Sequence, residues 1–315
     1  MTRRVLALSL AAGCGFGAPS ISPPDTVPTG DGMPADGPTD APPAASCIPR
    51  WRDGTVALGT PSLITELGSP AVDRDPYLMP DELTIYFSTY RNGASNGDVY
   101  FATRPSLTAP FGAPVRRDDI SSDDADTRFS MSADELTAVV GSNRDGTQGN
   151  FDVWLATRAN TAAPFQFVQG GVSNINSSND EHDPELSADG QRLYLAVGSP
   201  QRIAVSQRSS SIGAFGNVQE LSALFSDTGD ADPSLSSDEL LIVFSSRRRA
   251  SSDADLYYAI RTDKNGTFET PIRVPTVNSN TANDGDPTVS RDGCRLYFAS
   301  DRSGNWELYV ASMTP

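Results

Sequence analysis

The chain has one histidine, His182, and one lysine, Lys264, among 315 residues. A lone imidazole argues against a catalytic zinc site, which draws on several nitrogen, sulfur or carboxylate ligands. No His–Cys pairing is available to activate a nucleophile. No phosphate-binding loop is present. Apolar runs long enough to cross a bilayer are missing. So is any useful amphipathic helical stretch after residue 50. Positive charge is also scarce, with 24 Lys+Arg against 40 Asp+Glu and a formal net charge of -16. That balance argues against nucleic acid and against anionic membrane surfaces as partners. It suits cationic partners, divalent metals, or simply solubility. What the chain does have is 26 Gly and 24 Pro with abundant Asp, Asn and Ser. Many tight turns between short strands call for that composition.

Arg3 and Arg4 precede an apolar run from Val5 to Ala12, and Gly13 precedes Cys14. A positive start, an apolar stretch and small residues before a cut site make residues 1–13 a secretory signal peptide. Leu10-Ala11-Ala12-Gly13-Cys14 resembles a bacterial lipobox, although Ala11 stands where a large aliphatic residue is usual. The resemblance implies lipidation of Cys14, with plain secretion as the alternative. Gly15 is not an inner-membrane retention signal. The implied address is therefore the cell envelope, as an outer-membrane lipoprotein facing the periplasm or the outside, touching the membrane only through its lipid. Residues 14–46 are Pro, Gly, Asp, Ala, Thr and Ser with hardly any large apolar side chain. Such a segment cannot offset its ordering entropy and reads as a disordered tether. The folded part is expected over residues 47–315.

One unit recurs five times, beginning near residues 72, 123, 180, 229 and 283. Its first strand reads Asp75-Pro76-Tyr77-Leu78, Asp126-Thr127-Arg128-Phe129, Asp183-Pro184-Glu185-Leu186, Asp232-Pro233-Ser234-Leu235 and Asp286-Pro287-Thr288-Val289. An Asp-Glu or Asp-Gly turn follows, then an apolar strand such as Leu296-Tyr297-Phe298, a Ser-x-x-Arg-like turn and a third strand such as Asp255-Leu256-Tyr257. Four short strands per ~50-residue repeat predict an all-β, five-bladed β-propeller of four-stranded antiparallel blades. Six blades would need a degenerate blade between Cys47 and Pro70, which is too short. The last unit stops after its third strand, while Pro61–Leu67 reads as an orphan fourth strand. The N-terminal strand is therefore expected to close the ring and hide an open edge. That closure brings Cys47 and Cys294 to one blade, where they can form a disulfide. Alternatively, Cys294 is a small buried apolar residue in a slot that three other repeats fill with Leu.

The pattern is clearest from Asp286 to Tyr309, where Phe298-Ala299-Ser300-Asp301-Arg302-Ser303-Gly304 carries the turn. It resembles the WD40-like β-propeller repeat of TolB and its relatives, over roughly Val72 to the C-terminus. The third repeat departs most, since Gly198-Ser199-Pro200-Gln201 lacks the Ser-x-x-Arg turn. The resemblance implies the propeller fold and a periplasmic binding role.

An acidic pair precedes each inner strand: Asp73 and Asp75, Asp124 and Asp126, Glu181 and Asp183, Asp230 and Asp232, Asp284 and Asp286. Equivalent positions in successive blades should ring one mouth of the central channel. Converging carboxylates could bind Ca2+ or a basic peptide. They could equally be structural, capping turns or pairing with Arg91, Arg144, Arg247 or Arg302. His182 lies inside this ring and is a weaker candidate. Tyr86, Tyr100, Trp154, Tyr257, Tyr297 and Tyr309 recur at strand positions and read as core between blades, whereas Trp51 and Trp306 fall outside that register and are expected at the surface. The reading that follows is a non-enzymatic, monomeric envelope scaffold that recognises a protein or peptide at the channel mouth, without a cofactor. The alternative is a glycosidase-like enzyme in which one channel carboxylate acts as acid and another as base.

Overall fold

Each repeat forms a four-stranded antiparallel sheet, and five such sheets make up the computed structural model, which describes residues 46–93, 96–249 and 253–313. The signal segment, Cys14 and nearly all of the tether lie outside the described residues. The inner strands are Asp73–Leu78, Asp126–Met131, Glu181–Leu186, Asp230–Leu235 and Asp284–Val289, in blades 1 to 5. Second strands follow at Thr84–Thr89, Thr137–Ser142, Arg192–Val197, Leu241–Ser246 and Arg295–Ser300. Third strands are Asp98–Thr103, Asp152–Thr157, Arg202–Gln207, Asp255–Ile260 and Glu307–Ser312. Two-residue outer strands complete blades 1 to 4. The fifth blade takes its outer strand from the N-terminus, Ser62–Leu63, which pairs with Val310 and Tyr309. The ring is thus closed as expected, by backbone hydrogen bonds between the two ends of the domain.

The turn after each inner strand explains the Asp-Glu/Gly motif. The carboxylates of Asp81, Asp134, Asp189, Asp238 and Asp292 each accept the backbone N–H two residues on. The residue between sits at positive φ, as Glu82, Glu135, Gly190, Glu239 or Gly293. Where a glutamate stands there it can clamp blades together: Arg295 of blade 5 donates to Glu82 of blade 1 at 2.5 and 2.6 Å. At Gly293 a side chain is excluded, because a Cβ would lie 2.6 Å from Ile48 Cδ1.

Ile48 belongs to a five-residue helix, Ile48–Arg52, that sequence periodicity did not foresee. Pro49 suits its first turn, where the missing N–H would be unpaired anyway. The helix sets Trp51 into the core between blades 4 and 5, edge-on to Tyr258 at 5.2 Å, with its indole N–H donated to the Gly293 carbonyl. Trp51 is therefore fully buried and not a surface residue. Beside it Cys47 and Cys294 form a disulfide, with Cα atoms 5.0 Å apart. The other large cores also lie between neighbouring blades, such as Phe129, Phe165 and Met131 against Tyr86 and Val99. The recurrent tyrosines belong to these cores, as their strand register implied.

Candidate functional site at the acidic channel mouth

The inner strands of blades 1, 3, 4 and 5 each carry a one-residue bulge at their Asp-Pro step. Proline has no N–H for the ladder, and the inner strand is the edge of its sheet, so the bulge sits where pairing is already interrupted. It throws the preceding residue to positive φ: Asp75 at 53°, Asp183 at 55°, Asp232 at 55° and Asp286 at 51°. Asp tolerates this region better than most residues, at a cost of about 1 kcal/mol. The bulge re-aims these four carboxylates toward the axis.

Blade 2 breaks the pattern. Asp126 pairs with Ser142 just as Asp73 pairs with Thr89, so Asp126 is the counterpart of Asp73 and not of Asp75. Arg128 takes the fifth inward position, also at positive φ. The ten acids expected to form one ring therefore divide. Asp73, Asp126, Glu181, Asp230 and Asp284 are buried and bind the loop leading into their own blade through Ser69, Ser122, Ser177, Ser226 and Ser279. Four of them also hold the repeat arginine: Arg91 on Asp73, Arg144 on Asp126, Arg248 on Asp230 and Arg302 on Asp284. The partner in blade 4 is thus Arg248 and not Arg247. The structural role expected for the acids holds for this outer set. Asp124 belongs to neither set and lies in the preceding loop.

The inner set behaves differently. Arg74 grips Asp286 with two bonds, at 2.8 and 3.1 Å, and stacks on the Trp306 ring at 4.1 Å. Burial pushes the Asp286 carboxyl up, but the Arg74 charge and hydrogen bonds outweigh it and hold the group below the usual carboxylate range. The other three move the opposite way. Burial, then the Asp286 charge, raises Asp75 to about 7. Burial, then Asp75, raises Asp183 to about 6. Burial, with Asp286 and Asp183 adding to it, raises Asp232 well above its ordinary value. Ser88 donates to Asp75 and Ser245 to Asp232. Asp232 stands between Asp183 and Asp286 in hydrogen-bond contact with both. Beneath them the Arg128 guanidinium is fully buried and donates to the carbonyls of Pro233 and Pro287 and to Glu185. Its Nε and Nη1 have no hydrogen-bond partner among the described residues.

A cavity of about 280 Å3 opens over Asp75, Asp183 and Asp232, while Asp286 is fully buried beside it and does not line it. Three repeat positions line it. The residue after the outer acid of each inner strand gives Arg74, Thr127, His182, Ala231 and Gly285. The residue before the third strand gives Phe151, Gln201, Ala254 and Trp306. The residue before the repeat arginine gives Tyr90 and Arg247. His182, singled out from the sequence, is here, 5.1 Å from the Phe151 ring and 3.5 Å from Asp180. Trp306 is half-buried at the mouth, so its place outside the repeat register marked a lining role. Arg74, Arg128 and Trp306 were not foreseen as site residues. Variation at fixed repeat positions was the signal that could have found them. No group of three or more His, Cys, Asp or Glu is arranged to hold a metal ion among the described residues.

Protein-family models give no match to this chain, and neither do curated proteins. Solved structures do share its fold. The α-L-arabinofuranosidase of Podospora anserina, solved with cellotriose, is 12% identical, covers 81% of this chain and 96% of its own, and has a TM-score of 0.55. An α-L-arabinofuranosidase of Lactobacillus brevis is 11% identical, with 80% and 94% covered and a TM-score of 0.53. A TolB protein of Agrobacterium tumefaciens is 15% identical, with 76% of each chain covered and a TM-score of 0.47. The expected propeller fold is met by the five four-stranded blades and by the two arabinofuranosidase structures. The expectation of a non-enzymatic scaffold is not: propellers similar over most of their length include several glycoside hydrolases, which favours the glycosidase alternative. At such low identity the likeness establishes the fold, and the chemistry has to be argued from the residues at the mouth.

Proposed function

We propose that the acidic mouth is the active site of a glycoside-hydrolase-type enzyme. The observation that carries this reading is the unequal pairing of adjoining buried carboxyl groups: Arg74 grips Asp286 with two bonds, and Asp183 and Asp232 have no ion pair among the described residues, so their pKa values are pushed apart. Environments that push neighbouring carboxyls apart in pKa are how acid and base roles are assigned within one site. Asp286, kept ionised by Arg74 and buried beside the cavity, is the base and acts through Asp232, which lines the cavity: Asp232 takes a proton from the attacking water as it passes its own to Asp286. Asp183, raised to about 6 and partly exposed to the cavity, is the acid: it gives its proton to the leaving oxygen as the glycosidic bond breaks. Asp232 bridges acid and base as a neutral carboxyl, and Trp306, with Arg74 on its face, offers an aromatic wall for a sugar ring.

Hydrolysis of aryl glycosides and of arabinan and xylan by the purified chain tests this. Asp183→Asn and Asp286→Asn should each lower kcat by about 10²–10⁴-fold; Asp183→Asn should keep a melting temperature close to the parent, whereas Asp286→Asn also breaks the pair with Arg74 and should lower it. In the parent, kcat/KM should fall as pH rises through about 6, where Asp183 loses its proton. Turnover that survives both substitutions, or that rises steadily through that range, would refute the assignment. As a further part of the proposal, Cys14 anchors the domain to the cell envelope; radiolabelled palmitate incorporation, lost on Cys14→Ser, tests that.

A further inference from the structure

The mouth is not evenly built. Ala231, Ala254 and Gly285 leave a cleft over blades 4 and 5. At Gly285 a Cβ would come within 3.3 Å of Asp232 Oδ2, so a larger residue would crowd the aspartate it uncovers. Trp306 and Arg74 wall one side of this cleft. Arg247 stands at the other, at the position that blades 1, 2, 3 and 5 give to Tyr90, Asn143, Gly198 and Asp301.

Arg247 is unlike its neighbours. Arg248 is committed to Asp230 at 2.6 Å and Arg249 to Asp255 at 3.4 Å. Arg247 is exposed, lines the cavity and has no carboxylate partner among the described residues. In a chain of net charge -16, whose arginines are mostly held by acids, an uncommitted guanidinium at the mouth points to a ligand that brings its own negative charge. Guanidinium geometry matches a carboxylate bidentately.

We propose, resting on the hydrolase reading, that the substrate carries a uronic acid residue, bound with its carboxylate on Arg247 and its ring over Gly285 and Ala231 against the Trp306 indole. The cavity, about 280 Å3, is smaller than those that take drug-sized ligands and suits one sugar ring. The aspartates do not repel such a ligand in mildly acidic solution. Asp75, Asp183 and Asp232 keep their protons there, and the single carboxylate, Asp286, is matched by Arg74. His182 and Arg247 are the other charge-bearing groups facing the cavity.

Calorimetric titration of the full chain at pH 5.5 with glucuronate and galacturonate, against glucose and galactose, tests the assignment. A charge-assisted pair predicts about tenfold tighter binding of the uronates than of their neutral counterparts. Arg247→Gln should erase that preference. The control Arg291→Gln, an exposed arginine at the opposite mouth, should keep it. Equal binding of uronates and neutral sugars, or a preference that survives Arg247→Gln, overturns the inference. Turnover of neutral glycosides without uronate preference sinks this inference alone. Uronate binding without hydrolysis of any glycoside sinks the hydrolase reading and leaves the carboxylate site standing.

Discussion

Arg74→Met removes the charge that keeps Asp286 ionised while retaining most of the bulk stacked on Trp306. Two bonds at 2.8 and 3.1 Å are lost, and Asp286 is left fully buried. Breaking a buried ion pair from one side costs about 3–5 kcal/mol. The Arg74 side chain is 36% exposed, so solvent already screens part of that attraction, and about 2 kcal/mol at pH 7.5 is the expected loss. The sign of its pH dependence is the stronger test. In the parent, the folded pKa of Asp286 is depressed, so its contribution is present above the unfolded value and lost as pH falls through the folded one. Without Arg74, burial and the neighbouring carboxyls raise that pKa above the unfolded value of about 3.9. The variant then loses stability as pH rises. Urea denaturation at pH 4.5 and 7.5 should therefore show a small difference between parent and variant at the lower pH and the full difference at the higher. Loss of the base should also lower kcat/KM by about 10²–10⁴-fold. An equal loss of stability at both pH values would mean that Arg74 supports packing and not the ionisation of Asp286.

Three other outcomes are expected. Asp75 at about 7, Asp183 at about 6 and Glu185 at about 7 all stand above their unfolded values, so their contribution is complete below pH about 4 and is lost as pH rises through 6 to 7; the urea midpoint should be lower at pH 8 than at pH 5, and the reverse order would contradict the buried, protonated set. Replacing Cys47 and Cys294 by serine opens a link spanning 247 residues, for which chain entropy sets an upper limit of about 5 kcal/mol; a drop in unfolding free energy below about 1 kcal/mol would show that the Ser62–Leu63 strand and the Trp51 helix hold the seam unaided. Arg74 and Arg128 supply the counter-charge of the inner aspartates from within the chain, so we propose that millimolar Ca2+ leaves the melting temperature unchanged; a clear rise would reassign the mouth as a cation site.

The frame was legible because it is repeated. Strand order, the turn aspartates and closure by the N-terminal strand all follow from aligning five copies of one unit, and closure made the Cys47–Cys294 pair one of two readings of those cysteines. The errors arose where chance imitated the repeat. Asp124 and Asp126 have the spacing of an acidic pair, but the strand begins at Asp126, so the register slips by two residues and Arg128 is hidden. Three consecutive arginines obscured the partner in blade 4, although only Arg248 keeps the 18-residue spacing from the outer acid that blades 1, 2 and 5 share. Trp51 lies before the first repeat, where no periodicity speaks for burial; only the short helix and the space at Gly293 put it in the core.

Equivalent positions in a closed ring share nearly the same backbone, so the blades can differ in chemistry only through the side chains they present. The positions that build the frame hardly vary: the outer acid, its serine and its arginine recur in four blades. The positions facing the mouth vary freely, from Arg74 through His182 to Gly285. Arg128 is the decisive substitution. Five inward aspartates would repel one another and take up protons alike, giving five similar groups with no division of labour. One arginine in the fifth place, with Arg74 against Asp286, makes the four remaining carboxyls inequivalent, one held down in pKa and three pushed up. An acid and a base in one site require that inequality. The repeat therefore supplies the geometry of the mouth, and the departures from the repeat supply its reactivity.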